Sequence, residues 1–212
     1  MKSPGAAAPR PAVGARQPRA ERTRQRIMEA GARLLSSEGY HQTSSKKIAR
    51  AAGISVGSFY NHFRDKKELL LAVYREHVAR VHQMIFDALQ GGGLGAGLEG
   101  RRLVEAVVGQ ALRLHTLSPE FHRQMMALRH TDEDVGRVVA EEDERVVRLL
   151  MEMLSSSNSR RLRVDDLEAA ARVVIIAVEE VVHGIKVSVP PPIGEERLIA
   201  ALSDMVHRFL FR

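Results

Sequence analysis

Apolar residues recur along most of the chain at the three- and four-residue spacing of an amphipathic helix. The clearest early example lies on one face of the first helix: Ile27, Ala30, Leu34 and Leu35. Gly39 follows this helix as a stop signal. Strand-like alternation is absent apart from a short stretch at residues 186–189. The pattern therefore predicts an all-α protein.

Glycines, prolines and capping residues predict where the helices begin and end. Two short helices are predicted between Ser45 and Phe63, and a long one begins near Asp65 and ends at about Gln90. A glycine-rich connection follows at residues 91–97. Five further helices are predicted at about 101–117, 119–130, 133–155, 166–188 and 195–211. With the first helix, this makes about nine.

The composition divides the chain into three regions. Residues 1–20 carry four prolines, four basic residues and little apolar surface, which predicts a disordered basic tail. Residues 21–67 form a small N-terminal domain of three helices. Residues 68–212 form a larger helical domain.

Basic charge is concentrated at the N-terminal end. Residues 1–70 hold 14 Lys and Arg and 5 Asp and Glu, a net charge of +9, whereas the remainder carries −3. This asymmetry indicates contact with a polyanion, either nucleic acid or an anionic membrane surface. No apolar run is long enough to cross a bilayer, so a soluble cytoplasmic protein is expected. The lack of cysteine excludes disulfides and thiolate metal sites.

A helix-turn-helix pattern occupies residues 43–63, T-S-S-K-K-I-A-R-A-A-G-I-S-V-G-S-F-Y-N-H-F. Small apolar residues in the first helix allow a second helix to approach closely. Gly53 permits a tight turn, and Ser55 is suited to cap the second helix. Phe59 and Phe63 form the buried side of that helix and leave its other side polar. Such a helix can enter the major groove of DNA.

The polar side of the second helix carries groups that suit DNA. Ser58, Asn61 and His62 can hydrogen-bond to base edges, and Val56 can pack against a thymine methyl group. Ser55 lies beside them at the helix N-terminus. Phosphate contacts are predicted for four further side chains: Lys46, Lys47, Tyr60 and Lys66.

Several linked features of residues 22–70 match one known family. They are a Gly-Tyr pair after the first helix, the stretch I-A-R-A-A-G-I-S, the stretch G-S-F-Y-N-H-F and a lysine that begins the fourth helix. With these features the segment resembles the DNA-binding domain of the TetR family. The resemblance is specific because so many spacings agree at once, but it covers only this part of the 212 residues.

The resemblance implies a dimeric, all-helical transcriptional repressor. A small molecule would bind its C-terminal domain and release it from a palindromic DNA operator. The family pattern assigns DNA contacts to the following residues: Ser44 or Ser45, Ser58, Tyr60, Asn61, His62 and Lys66. Val56 stands where the family often has a polar or basic residue, and Asn61 where an aromatic residue or histidine is frequent. These departures bear on the operator sequence and not on DNA binding itself.

Other interpretations of the same features remain open. An activator or dual regulator would have the same fold. A non-specific nucleic-acid-binding or membrane-surface protein would use the basic third without sequence preference, although an ordered helix-turn-helix favours specific DNA binding. The tail, with Arg10, Arg16 and Arg19, is either an arm that enters a DNA groove or a source of diffuse attraction.

Two C-terminal helices carry more apolar surface than one neighbour can cover. The helix at 166–188 is apolar around most of its circumference, and the last helix follows 3.6-residue periodicity from Leu198 to Leu210. We predict that these helices and their symmetry mates form a four-helix homodimer interface. The alternative is that both are core helices of a monomer.

The signals for an effector site in the C-terminal domain are weak. Paired methionines provide adaptable apolar walls, and the shortage of aromatics favours an aliphatic ligand over an aromatic cage. Either Glu179 or Glu180 contacts a polar ligand group, or both pair with Arg172 or Lys186 or face water. The candidate ligand contacts are His82, Gln110, His115, Phe121, Met125, Met126, Glu179 and His183.

Catalytic signatures are missing from the sequence. It has no phosphate-binding loop, nucleophile elbow, metal-ligand spacing or paired catalytic carboxylates. We therefore expect no enzymatic activity, no catalytic residues, no bound metal and no cofactor. The expected partners are double-stranded operator DNA, a small-molecule effector and a second copy of the chain, without a membrane.

Overall fold

The helices predicted from the periodicity are present, with ends shifted by a few residues. The computed structural model describes residues 16–90, 101–114, 119–156, 162–186 and 193–211. Within these ranges the chain forms nine helices: α1 (Arg16–Ser37), α2 (Ser45–Ala51), α3 (Val56–Tyr60), α4 (Lys66–Gln90), α5 (Arg101–Leu114), α6 (Pro119–Thr131), α7 (Glu133–Ser156), α8 (Leu167–Lys186) and α9 (Glu195–Leu210). An isolated bridge joins Leu162 to Phe211. The predicted all-α class is confirmed.

Helix α1 begins at Arg16, inside the region predicted to be a disordered tail. Pro18 lies in its first turn, where a missing backbone N–H removes no intrahelical hydrogen bond. Residues 16–20 are therefore helical, and the helix extends the exposed basic surface by Arg19. Residues 1–15, which include Arg10, lie outside the described residues.

A first hydrophobic cluster holds the N-terminal helices together. Helix α1 packs on α2, α4 and α6, and its Ile27 is fully buried together with Ile48 of α2 and Phe59 of α3. Gly31 permits the close approach of α1 to α4, since an added Cβ would lie 2.6 Å from Cδ2 of Leu69. Burial of these large side chains sets the orientation of α2 and α3 relative to α1.

Helix α6 belongs to this first cluster although it lies far along the chain. Phe121 and Met125 of α6 are buried in it, together with Val135 and Val139 at the start of α7. The core of the helices in residues 21–67 therefore includes side chains from α6 and α7. The two halves of the chain are joined by shared packing.

A second cluster forms the C-terminal body. It contains Val104 and Val108 of α5, Val174 of α8 and Val206 of α9 among its buried residues. Helix α9 packs on α5 and α8, and α7 packs on α8. None of the described helices is long and apolar enough to cross a membrane.

Candidate nucleic-acid interface

The predicted helix-turn-helix is formed by α2 and α3. Ser44 caps α2 by accepting a hydrogen bond from the Lys47 amide at 3.3 Å, and Ser55 caps α3 by accepting one from the Ser58 amide at 3.1 Å. Gly53 in the turn between them has a φ of +64°, which suits a residue without a Cβ. The local sequence thus determines both helix starts and the turn.

Helix α1 supports this turn through a contact that the sequence did not predict. The Arg26 guanidinium donates hydrogen bonds to the carbonyl oxygens of Ala52 and Gly53. Arg24 places its guanidinium 4.6 Å from the centre of the Phe63 ring, a cation–π arrangement. Nothing in the spacing of these arginines distinguishes them from the other basic residues of α1.

Helix α3 is buried on one side and exposed on the other. Phe59 is fully buried and Phe63 is 2% exposed, with their ring centroids 5.9 Å apart. Val56 and Tyr60 are 39% and 55% exposed, although both are large apolar or aromatic side chains. The exposed side therefore carries groups that are costly to leave in water without a partner.

The other predicted DNA contacts differ in their exposure. Ser44, Lys46, Ser55 and Asn61 are exposed, whereas Ser45, Ser58 and His62 are half-buried. Their assignment as DNA contacts stays a prediction.

Lys66 has a different environment from the one predicted. Its ammonium group donates hydrogen bonds to the carbonyl oxygens of Tyr40 at 2.6 Å and Thr43 at 2.9 Å, and it lies 4.2 Å from the centre of the Tyr40 ring. Desolvation lowers its pKa. Lys66 therefore joins the start of α4 to the segment before α2, and the phosphate contact assigned to it stays a prediction. Lys47 is likewise paired, with Glu38 at 2.6 Å.

A cavity of about 270 Å³ lies in the C-terminal body, with walls from α4, α6, α7 and α8. Its walls are mostly apolar. Five of the predicted ligand contacts line it: His82, Phe121, Met126, Glu179 and His183. The His122 and His183 rings are 3.9 Å apart at its edge.

The remaining predicted ligand contacts are not found in the cavity wall. Met125 is fully buried in the first hydrophobic cluster, because its side chain leaves α6 in a different direction from that of Met126. The side chain of Gln110 and the whole of His115 lie outside the described residues. Tyr74, Arg129 and Asp143 line the cavity, and their wide separation in sequence offered no signal for this grouping.

Helix α8 contributes Glu179 to this wall. Arg172, one of its predicted partners, instead bonds to Glu144 at 2.7 Å and to Glu168 at 2.8 Å. Burial raises the pKa of the Glu179 carboxyl to about 7, and the nearby carboxylate of Asp143 adds to this effect. The side chain of Lys186 lies outside the described residues.

A capped helix-turn-helix beside a cavity-bearing helical body defines a helix-turn-helix regulatory protein. Residues 27–73 match the family model described as bacterial regulatory proteins, tetR family. Residues 101–210, just over half of the chain, match the model of the tetracycline repressor-like C-terminal domain. The chain belongs to the TetR family of transcriptional regulators.

Individual relatives match mainly in the N-terminal part. The HTH-type transcriptional regulator AcrR of Shigella flexneri is 42% identical over 55 residues, 26% of each chain. The repressor AcnR of Corynebacterium glutamicum is 35% identical over 65 residues, 31% of this chain and 35% of the relative. The matched segments thus span about a quarter to a third of these curated relatives.

Similarity of fold extends over nearly the whole chain. A TetR-family regulator from Mesorhizobium loti superposes with a TM-score of 0.76 at 18% identity. The superposition covers 92% of this chain and 99% of the other. At this identity the match supports the fold alone.

Proposed function

We propose that the protein is a cytoplasmic transcriptional repressor that binds a palindromic DNA operator as a homodimer and leaves it when a small molecule binds. The carrying observation is α3, whose Phe59 is fully buried while Val56 and Tyr60 on its other side are exposed. The exposed side of this five-residue helix contributes little to the core. Its role is to present that side to the major groove.

The exposed groups of α3 divide into two kinds of DNA contact. Asn61 offers an amide that can bond to adenine, and Val56 offers an apolar surface for a thymine methyl group. Tyr60 and Lys46 reach phosphates, which position the protein without reading the base sequence. Ser44 and Ser55 cap α2 and α3, and the N-termini of these two helices favour anions.

Exposed apolar stripes on α8 and α9 support the homodimer. Val173 and Ile176 of α8 are 52% and 61% exposed, and Met205 and Phe209 of α9 are 50% and 39% exposed. The two helices pack against each other, and each adds two of these side chains to the apolar surface of the body. A second copy related by a two-fold axis would cover it and place two α3 helices on two operator half-sites.

Helix α6 provides a physical route from the cavity to the DNA-binding helices. One side of α6 carries Met126 and Arg129 into the cavity wall. On its other side Met125 is buried among the N-terminal helices, and the Gln124 side chain accepts a hydrogen bond from the Tyr40 amide. A ligand that displaces α6 would therefore move the support of α2 and α3.

An ion-pair cluster joins α4 to the same region. The Lys67 ammonium lies 3.1 Å from Asp132 and 2.7 Å from Asp134, at the junction of α6 and α7. Hydrogen bonds that the Lys67 ammonium donates to both carboxylates raise its pKa, so it is charged at neutral pH. A movement of this junction would therefore move α4. Helix α4 begins directly after the helix-turn-helix.

The proposal is tested by selecting duplexes from a random pool with the full-length protein at physiological salt. We expect an imperfect palindrome. Asn61→Ala should weaken binding to the selected operator by roughly 1–3 kcal/mol and relax specificity at one position of each half-site. A reporter promoter that overlaps the operator should be silenced by the wild-type protein.

Gln83→Ala provides the matched control, because Gln83 is an exposed amide on α4 far from α3 in the chain. It should leave operator affinity unchanged. Recovery of duplexes without sequence preference would contradict the proposal and favour a general nucleic-acid-binding protein. An increase in reporter expression would contradict repression and favour an activator.

A further inference from the structure

The polar groups of the cavity are unevenly compensated. Arg129 is the one arginine or lysine among its described wall residues, and it pairs with Asp143 at 3.0 Å. Glu142 lies 3.2 Å from Arg145 and 3.8 Å from Arg75. The charges of these groups offset one another, although Oε2 of Glu142 is buried and accepts no hydrogen bond.

Glu179 has weaker compensation, which comes only from the charge of Arg129 at a distance. It is half-buried and has no hydrogen bond or ion pair among the described residues. An ionised carboxylate in a mostly apolar wall is costly unless an opposite charge or a hydrogen-bond donor meets it. A ligand that brings such a donor would therefore gain free energy at this position.

Four histidines line the cavity, His77, His82, His122 and His183, and two of them do not offset this charge. Burial lowers the pKa of both His82 and His183, so their imidazoles are neutral at pH 7. A carboxylate ligand would thus meet Glu179 and two neutral imidazoles, with Arg129 already held by Asp143. The charge pattern favours a cation over an anion.

The size of the cavity limits the ligand. Its volume of about 270 Å³ lies just below the range of small-molecule sites, which span roughly 300–1,000 Å³. Its walls are mostly valine, leucine, isoleucine and methionine side chains. A compact hydrocarbon body with one polar group fits both properties.

We infer that the cavity binds a compact, largely aliphatic amine whose protonated nitrogen pairs with the carboxylate of Glu179. The inference rests on the proposed function only in taking this cavity as the effector site. The raised pKa of Glu179 is what an unpaired carboxyl shows, and an ammonium partner would lower it again.

Three probes with the same six-carbon chain test the inference: n-hexylamine, 1-hexanol and hexanoate. Each is titrated by calorimetry into the full-length protein at pH 7.5. We expect hexylamine to bind at least tenfold more tightly than hexanol, and hexanoate to bind most weakly. Glu179→Gln should reduce the preference for the amine over the alcohol to less than threefold, because the amide keeps the shape and removes the charge.

Glu168→Gln is the matched control on the same helix. Glu168 has a side chain 58% exposed, lies outside the cavity wall and pairs only with Arg172, which keeps its bonds to Glu144. This variant should retain the full preference for hexylamine. Thermal unfolding of both variants checks that they are folded.

Three outcomes would overturn the inference: tighter binding of hexanoate, an amine preference that survives Glu179→Gln, and no binding of any probe by the wild-type protein. Operator binding is measured separately without ligand. Intact operator binding with a failed amine series leaves the regulator proposal standing. Loss of sequence-specific DNA binding refutes the regulator proposal whatever the probes do.

Discussion

Glu179 lies on α8 and lines the cavity, where its carboxyl group is poorly solvated. The pKa of this group is raised from its ordinary value of 4.5 to about 7, first by burial and then by the charge of Asp143. Arg129 acts in the opposite direction, and Glu180 adds a smaller repulsion. The cavity wall therefore contains a group whose ionisation opposes folding.

The sign of the resulting pH dependence follows from proton binding. Between pH 4.5 and about 7 the unfolded chain loses the Glu179 proton while the native protein keeps it, so native stability falls as the pH rises. We expect Glu179→Gln to raise the free energy of unfolding at pH 8 by about 1–3 kcal/mol, after allowance for partial exposure. At pH 5 the gain should be less than half as large. Urea denaturation at both pH values measures it.

Glu168→Gln again serves as the comparison, because an exposed ion pair on a helix surface contributes little. Its unfolding free energy should stay within about 0.5 kcal/mol of the wild-type value at both pH values. A gain from Glu179→Gln that is equal at pH 5 and pH 8 would contradict a raised carboxyl pKa.

At the scale of a helix, α6 has two sides with different neighbours. Met125 is fully buried among the N-terminal helices, whereas the adjacent Met126 lines the cavity. Residues one position apart point about 100° away from each other on a helix. Two methionines that are neighbours in the sequence thus have different surroundings: Met125 is buried inside the first cluster, and Met126 packs against that cluster and lines the cavity.

This difference predicts unequal costs of truncation. Met125→Ala leaves a void in close-packed surroundings and should lower the free energy of unfolding by about 2–5 kcal/mol. Met126→Ala enlarges an existing cavity and should cost less than half as much. Chemical denaturation of both variants gives the comparison. Equal losses would show that α6 does not divide its sides in this way.

At the scale of the whole molecule, the apolar stripes of α8 and α9 need a partner surface. Four large apolar side chains on them are between 39% and 61% exposed: Val173, Ile176, Met205 and Phe209. A patch of this kind on one face of a protein marks an interaction site. Because α8 and α9 pack against each other, we propose that both stripes meet their symmetry mates in an isologous pair.

Ile176→Asp tests this assembly. The substitution places an unpaired charge twice in a two-fold interface, which should weaken association by about 2–5 kcal/mol per site. We expect the wild-type protein to have a dimeric mass at micromolar concentration in analytical ultracentrifugation and the variant a monomeric mass.

Val56→Asp changes an equally apolar residue that is 39% exposed on α3, far from the stripes, and should keep the dimeric mass. A wild-type monomer, or an Ile176→Asp dimer, would contradict the pairing.

Local features of the fold were determined by the sequence alone. Helix periods, the two serine caps, the Gly53 turn and the buried pair Phe59 and Phe63 depend on residues at most a few positions apart. Short-range spacing in a single chain therefore predicts them. The start of α1 was placed too late because prolines in a first helical turn do not interrupt the helix.

Long-range packing decided the rest, because contacts between distant segments leave no spacing in the sequence. The tertiary structure turned Lys66 inward to the carbonyl oxygens of Tyr40 and Thr43. It placed Met125 in the core of the N-terminal helices. It also brought Glu179 to the cavity wall, where the carboxyl group has no hydrogen bond or ion pair among the described residues. The sequence predicts which helix contacts DNA. The packing of α6 decides how the cavity in the C-terminal body is connected to that helix.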